Sequence, residues 1–196
     1  MPSESRTFIE EARRAQIIDC AIDALATLGY QQASMTKIAK LAKISPGVIS
    51  YHFGGKDELI DAVVTHVVEL ATGLMIPRIM AQTTAAAALT AYIESNLEFM
   101  RLHRNPLIAL VEVILHERDG PYSGQQEIAL TDLEKVLDWG QQTGEFRDFD
   151  QRSMAIAIRG AIDAVPTYLI SNPDYDLGTL TAELTTTFSL ATRSPA

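Results

Sequence analysis

Residues 33–59 read ASMTKIAKLAKISPGVISYHFGGKDEL, and the punctuation of this stretch decides the fold of its surroundings. Ser34 is a side-chain N-cap for a short helix, accepting a bond from an orphan backbone N–H. Lys37 stands three residues on where a capping box would have Glu or Gln, so that signal is half present. Ser45-Pro46 opens a second helix, with Ser as N-cap and Pro at the first helical position, where its missing N–H costs nothing. Gly54-Gly55 stops that helix, and Lys56-Asp57-Glu58 opens another. The pattern is two short helices joined by a tight turn, with a third starting at once. Ile38, Leu41 and Ala42 make the inward stripe of the first, and Ile44 packs into the turn. On the second, Ile49 and Phe53 share a face at i, i+4 and point inward. Gly47, Val48, Ser50 and Tyr51 point away, with His52 at the flank.

Charge singles out the same stretch. It holds Lys37, Lys40, Lys43 and Lys56, four of the sixteen basic residues, and no Asp or Glu occurs from Ala24 to Lys56. The chain as a whole carries a net charge of -9. Residues 1–60 are neutral, with seven basic and seven acidic side chains, and the excess acid lies beyond them. An acidic total argues against nucleic acid in general. Exposed charges more than about 8 Å away are largely screened at physiological salt, so the local acid-free patch decides. A short helix showing small, hydroxyl and aromatic groups outward suits the major groove of DNA.

The 196 residues, 47% hydrophobic and 21% charged, suffice for a sizeable core. A single cysteine, Cys20, excludes an internal disulfide and reads as a small buried hydrophobe. The polar start MPSESRTFIEEARR is no secretory signal, and no apolar run approaches the roughly 20 residues that span a bilayer. The reading is a soluble, cytoplasmic protein with no membrane partner.

Along the chain, Glu11 to Leu28 is an amphipathic helix with Ile18, Ala21, Ile22, Leu25 and Leu28 on one stripe, closed by Gly29. Leu59 to about Met75 is a long connecting helix ending near Pro77. Ala85 to about His103, Leu107 to Leu115, Gln125 to about Thr143, Phe149 to about Ile170 and Leu177 to Thr192 follow as helices, with a break at Gly120-Pro121 and a kink at Pro166. The segment 107–115 is apolar nearly all round and so should be buried. Nothing reads as a β-sheet. The chain is all-α: an N-terminal three-helix helix-turn-helix domain over 1–55, then a six-helix ligand-binding and dimerisation bundle over 56–196, with the last two helices as the dimer bundle.

The run from Ser34 through Ile38-Ala39, Ala42, Ile44-Ser45, Gly47, Ile49 and Tyr51-His52-Phe53 to Lys56-Asp57-Glu58-Leu59 resembles the TetR family of transcriptional regulators. Its segment GVISYHFGGKDELI is most similar to the betaine/choline repressor subgroup. The specific match covers about the first 65 residues; beyond them only helix number, helix length and size agree. The resemblance implies a homodimer, a double-stranded DNA operator as partner, and a small-molecule effector held in the helical body. It implies that Ser34, Thr36 and Lys56 hold phosphates and that Ser45, Pro46, Gly47, Val48, Ser50, Tyr51 and His52 line the groove; Lys37 joins this set for its charge. Two residues depart from the family pattern. Lys43 replaces a turn glycine, so a left-handed backbone there would be strained. Ser50 replaces a frequent aromatic residue.

Each assignment has a plainer alternative. Lys37, Lys40 and Lys43 lie three apart and could be a solvated helix face. Tyr51 and His52 could be packing residues; the wheel favours Tyr51 as the contact. Lys56 stands at a helix N-terminus, where the macrodipole disfavours a cation. A bound phosphate would resolve that conflict, and so would simple solvation. No sequence motif of catalysis is present, so no catalytic residue and no cofactor is assigned. Glu112 and His116 stand at i, i+4 with His103 nearby in sequence, two ligands short of a clear third for a metal, and none is assigned. Met100, His103, Trp139, Arg159 and Asp163 are the candidate effector contacts. Arg159 and Asp163, four apart in an apolar helix, could be an ion pair, cross a dimer seam or hold a ligand. The function expected is a ligand-responsive repressor; the alternative is a helical ligand-binding or scaffold protein that does not bind DNA.

Overall fold

The computed structural model describes residues 8–116 and 123–194. Nine helices occur among them: α1 (Phe8–Leu28), α2 (Met35–Leu41), α3 (Pro46–Phe53), α4 (Lys56–Met80), α5 (Ala85–Leu102), α6 (Arg104–His116), α7 (Ser123–Gln142), α8 (Gln151–Ser171) and α9 (Leu177–Thr192). No strand occurs among the described residues, apart from one isolated bridge between Phe146 and Arg193. The break expected at Gly120-Pro121 lies outside the described residues.

Two compact units form. The head unit takes in α1, α2, α3, α4 as far as Val68, and α6 from Asn105. The body unit takes in α4 from Glu69, α5, α7, α8 and α9. The compact head therefore extends beyond residue 55 and recruits a helix that lies fifty residues further along the chain.

Local chemistry accounts for the helix ends. Ser34, Thr84, Asp150 and Asp176 each accept a backbone N–H of the helix that follows. Gly29, Gly54 and Gly144 take positive φ where α1, α3 and α7 end. One helix runs on where an end was expected, and another carries its proline inside, as expected. Pro77 lies inside α4, which continues to Met80, and Ala81 N–H still reaches the Pro77 carbonyl at 3.1 Å. A proline whose φ already suits a helix removes one hydrogen bond, and here that loss falls in the last two turns. Pro166 likewise lies inside α8.

The head core is built from Ile17, Ala21, Ile22, Ala24 and Leu25 of α1, Ile38 and Ala39 of α2, Ile49 and Phe53 of α3, and Leu59, Ile60, Val63, Val64 and Val67 of α4. Leu107, Ala109, Leu110, Val111 and Val113 of α6 are buried as expected, though Leu115 is not. The expected stripes slip at two places. Ile17 rather than Ile18 faces the α1 core, and Leu41, at the end of α2, is 49% exposed while Ala39 is buried.

On length and composition, α4 and α8 each contain an 18-residue window apolar enough to cross a membrane, with mean hydropathy 1.7 and 1.2. This corrects the expectation that no run approaches that length. In α4 the cause is visible: one side of its first half, Leu59 to Val67, is head core, and the apolar count reflects that packing.

In the body, Glu145 follows α7 and its carboxylate caps α5, accepting the Ala85 and Ala86 N–H groups at 3.1 and 3.0 Å. Arg147 N–H reaches the Thr192 carbonyl at 2.9 Å, and the Arg147 guanidinium reaches Ala191 O, so the same short segment closes α9. The Ala86 and Ala85 backbone bonds, helped by the Thr143 hydroxyl, hold the Glu145 carboxyl below the ordinary glutamate range. A carboxylate held low in the folded state adds stability above its unfolded pKa, and that stability is lost as pH falls through the folded value. Glu145→Ala should therefore lower stability by about 1 kcal/mol at neutral pH, the usual worth of an N-cap. In acid denaturation followed by circular dichroism, the gap to the parent should close below pH about 4, near the unfolded glutamate pKa.

Gly140 of α7 lies beneath the Phe146 ring so closely that a Cβ there would meet Phe146 Cδ2 at 2.0 Å. Gly140→Ala is expected to cost about 1–3 kcal/mol by overpacking, read as a lower thermal midpoint.

Candidate nucleic-acid interface

The interface is assembled in the head from α2, α3 and the start of α4. Ser34 caps α2 through Lys37 N–H at 3.3 Å, and Thr36, Lys37 and Lys40 are exposed beside it. At the turn, Lys43 adopts φ 54, the left-handed conformation expected where a glycine is usual. Ile44 N–H bonds to the Ala39 carbonyl at 3.0 Å, closing the turn onto α2.

Ser45 has the extended backbone of an N-cap, but its side chain makes no cap bond; Pro46 at the first helical position does the work of starting α3. The wheel is realised. Ile49 and Phe53 are buried, while Ser45, Pro46, Gly47, Ser50 and Tyr51 are exposed, Tyr51 at 76%. Val48 and His52 are half-buried, and the His52 ring meets the Tyr51 ring edge-on at 5.1 Å.

α3 is gripped from behind by α1. The Arg14 guanidinium stands 4.0 Å from the Phe53 ring centroid and donates to the His52 carbonyl. Gln16 donates to the Ala42 carbonyl at 3.3 Å, fixing the end of α2. Neither residue was singled out from the sequence; Arg14 falls off the apolar stripe of α1 and reads there as surface polarity.

Lys56 resolves its conflict with the helix macrodipole in a way the sequence did not suggest. Its ammonium donates to the Tyr30 carbonyl at 3.1 Å and stands 4.2 Å from the centroid of the Tyr30 ring. It thus turns back toward the C-terminal end of α1, where a cation is favourable. Lys56 remains half-buried rather than extended into solvent.

The candidate effector residues all belong to the body. Arg159 of α8 donates to the Tyr92 hydroxyl at 3.1 Å and Asn96 Oδ1 at 3.2 Å, and also pairs with Asp163. Burial pushes the Tyr92 phenol above its ordinary value, and Arg159 partly opposes the shift. Met100 is buried in α5, His103 closes α5 and stacks on Phe99 at 4.9 Å, and Trp139 is half-buried in α7. A surface cleft of about 440 Å³ lies elsewhere, between the end of α4 and α5, with Arg78, Gln82, Glu94 and Ser95 in its lining. None of the five expected effector residues lines it. Of the metal candidates, Glu112 and His116 are occupied within the head and His103 belongs to the body.

The family profile described as "Bacterial regulatory proteins, tetR family" matches residues 17–63, which span α1, α2, α3 and the first turns of α4. The chain carries a TetR-family domain. The HTH-type transcriptional regulator BetI of Paraburkholderia phymatum is 32% identical over 91 residues, 46% of this chain and 46% of that protein. The chain thus spans about half the length of the curated relatives it matches. A TetR family transcription regulator from Marinobacter aquaeolei VT8 has the same fold, with a TM-score of 0.78 over 95% of this chain and 98% of that one, at 13% identity. AibR, solved in complex with isovaleryl coenzyme A and operator DNA, superposes with a TM-score of 0.73 over 88% of this chain and 96% of its own, at 19% identity. The TetR-family fold therefore extends through the body, where sequence similarity fades. The relatives matched in sequence are named as regulators of transcription.

Lys43 holds a left-handed backbone that favours glycine. Lys43→Gly should relieve about 1–2 kcal/mol of left-handed strain and give back part of it through the freer unfolded chain. A net gain of up to about 1 kcal/mol is expected in denaturant unfolding, with Lys43→Ala showing no such gain.

Proposed function

We propose that the chain is a ligand-responsive transcriptional repressor, binding a pseudo-palindromic operator as a homodimer and released by a small-molecule effector. One observation carries the reading. The outward face of α3 presents Gly47, Ser50 and Tyr51 beyond a helix held rigid by Ile49, Phe53 and Arg14, in the segment that matches the TetR family. An eight-residue helix that spends Ile49 and Phe53 on the core has a face of small, hydroxyl and aromatic groups left for base edges. Ser34, Thr36 and Lys37 at the start of α2, with Lys56, supply the phosphate contacts that set register without reading sequence.

Two copies would place their α3 helices one DNA turn apart, about 34–36 Å. The dimer bundle is assigned to α8 and α9, where Ile156, Tyr168 and Leu190 are large, apolar and exposed. AibR supports an effector in a helical body of this fold, since its complex holds both isovaleryl coenzyme A and operator DNA. An effector acts here by binding one state of the body more tightly than the other. A regulator of this kind works in the cytoplasm, in contact with DNA.

The test is selection of a duplex from a random library by the wild-type chain, followed by gel shift at stated salt. A sequence-specific complex with two half-sites is expected, and Tyr51→Ala should weaken it by about 1–3 kcal/mol while leaving non-specific binding nearly unchanged. A folded dimer that selects no sequence would favour a helical ligand-binding protein without DNA function. A thermal-shift screen of small molecules, followed by release of the selected duplex, then identifies the effector class.

A further inference from the structure

α6 belongs to the compact head although residues 69–104 of the other unit separate it from the rest of the head in sequence, and one side chain of α6 reaches the interface machinery. The Glu112 carboxylate accepts the Tyr30 backbone N–H at 2.8 Å. It packs so closely on the end of α1 that a Cβ at Gly29 would meet Glu112 Oε2 at 3.2 Å. Gly29, at φ 76, gives the backbone this approach. His116, one turn further along α6, donates from Nδ1 to the Glu112 carbonyl at 2.8 Å, taking that ring nitrogen as the protonated one. Its ring lies flat on the Tyr30 ring, with centroids 4.9 Å apart and planes 12° apart. Tyr30 is thus held by α6 through both its backbone and its ring. The same residue holds Lys56, through its carbonyl and the same ring.

We propose that Glu112 is a positioning residue for DNA binding: by fixing Tyr30, it aims the Lys56 ammonium and the N-terminus of α4 at the operator phosphate. The step from Glu112 to Lys56 passes through one residue, Tyr30, and uses both of its backbone polar groups: its N–H to α6, its C=O to α4. The carboxylate lies at the C-terminal end of α1, where the macrodipole disfavours an anion. Its hold therefore rests on the Tyr30 N–H bond, and whatever draws α6 away frees Tyr30, the residue that Lys56 bonds. The DNA side of this proposal rests on the function proposed above; the Glu112–Tyr30 hold does not.

Two measurements test it. The first needs no DNA: amide hydrogen exchange at Tyr30 should be slow in the parent chain and faster in Glu112→Ala, whereas Glu112→Gln, which keeps an acceptor oxygen, should stay close to the parent. An unprotected Tyr30 amide in the parent overturns the hold. The second is a double-mutant cycle on the duplex selected by the wild-type chain, read as dissociation constant and as salt dependence. Glu112→Ala should weaken binding about 5- to 10-fold, the usual net worth of one hydrogen bond. It should also lower the salt slope by about 1, as loss of one phosphate contact does. Added to Lys56→Ala, it should weaken binding less than 2-fold further, and Glu112→Gln should recover most of the affinity. A parent-like Glu112→Ala, or fully multiplied effects in the double variant, overturns the proposal while leaving the repressor reading intact. If Glu112→Ala does not fold, the cycle is run with Glu112→Gln against Glu112→Asp, whose shorter carboxylate should reproduce the loss. A wild-type chain that selects no duplex overturns the repressor reading and this one with it.

Discussion

The helix α3 cannot hold itself. At eight residues α3 is shorter than any helix stable alone in water, since nucleation is costly and only tertiary packing offsets it. Its persistence depends on two side chains, Ile49 and Phe53, seated fully in the head core. The Arg14 guanidinium over the Phe53 ring completes the seat and, through the His52 carbonyl, satisfies a group the helix end would otherwise leave orphaned. This arrangement fixes what the opposite face can do. Because residues 49 and 53 are inward, 47, 50 and 51 must be outward, so a core contact decides which side chains are offered to a groove.

That chain of consequence was legible in the sequence because every link is local. Ser34, Pro46, Gly29 and Gly54 act within one turn of themselves, and the i, i+4 spacing of Ile49 and Phe53 names an inward face without knowing what lies behind it. The left-handed turn at Lys43 was expected from the family resemblance rather than from its own sequence. Helix order and all-α class followed from periodicity. What failed were positions where two neighbours compete for one stripe, as Ile17 and Ile18 do, and helix ends, where Leu41 and the residues after Pro77 answer to surroundings rather than to their own pattern.

Long-range partners were not legible at all. Arg14 looks like a surface residue on α1, and nothing in its neighbourhood announces Phe53. Lys56 posed a recognisable electrostatic problem, but the sequence offered only a phosphate or water as solutions. The structure adds a third, a carbonyl and an aromatic ring twenty-six residues upstream. Glu112 and His116 shared a metal-like spacing, yet the carboxylate serves Tyr30 and the imidazole serves its own helix. In each case a polar side chain finds a backbone group left over from helix termination, and such pairings cannot be read from spacing.

The same rule bears on the body. Arg159 and Asp163 drew notice as charges in an apolar helix, and Tyr92 and Asn96 of α5 now account for much of what holds the guanidinium. A guanidinium that donates to a phenol, an amide oxygen and a carboxylate is already well satisfied, and displacing those bonds costs a ligand as much as it returns. Asp163 is the more exposed partner of the pair. Its charge is thus met inside the chain, by a residue one turn away on the same helix. The excess acid of a chain of net charge -9 lies beyond residue 60, while residues 24–56 hold no Asp or Glu, and salt screening keeps the two from cancelling at a distance.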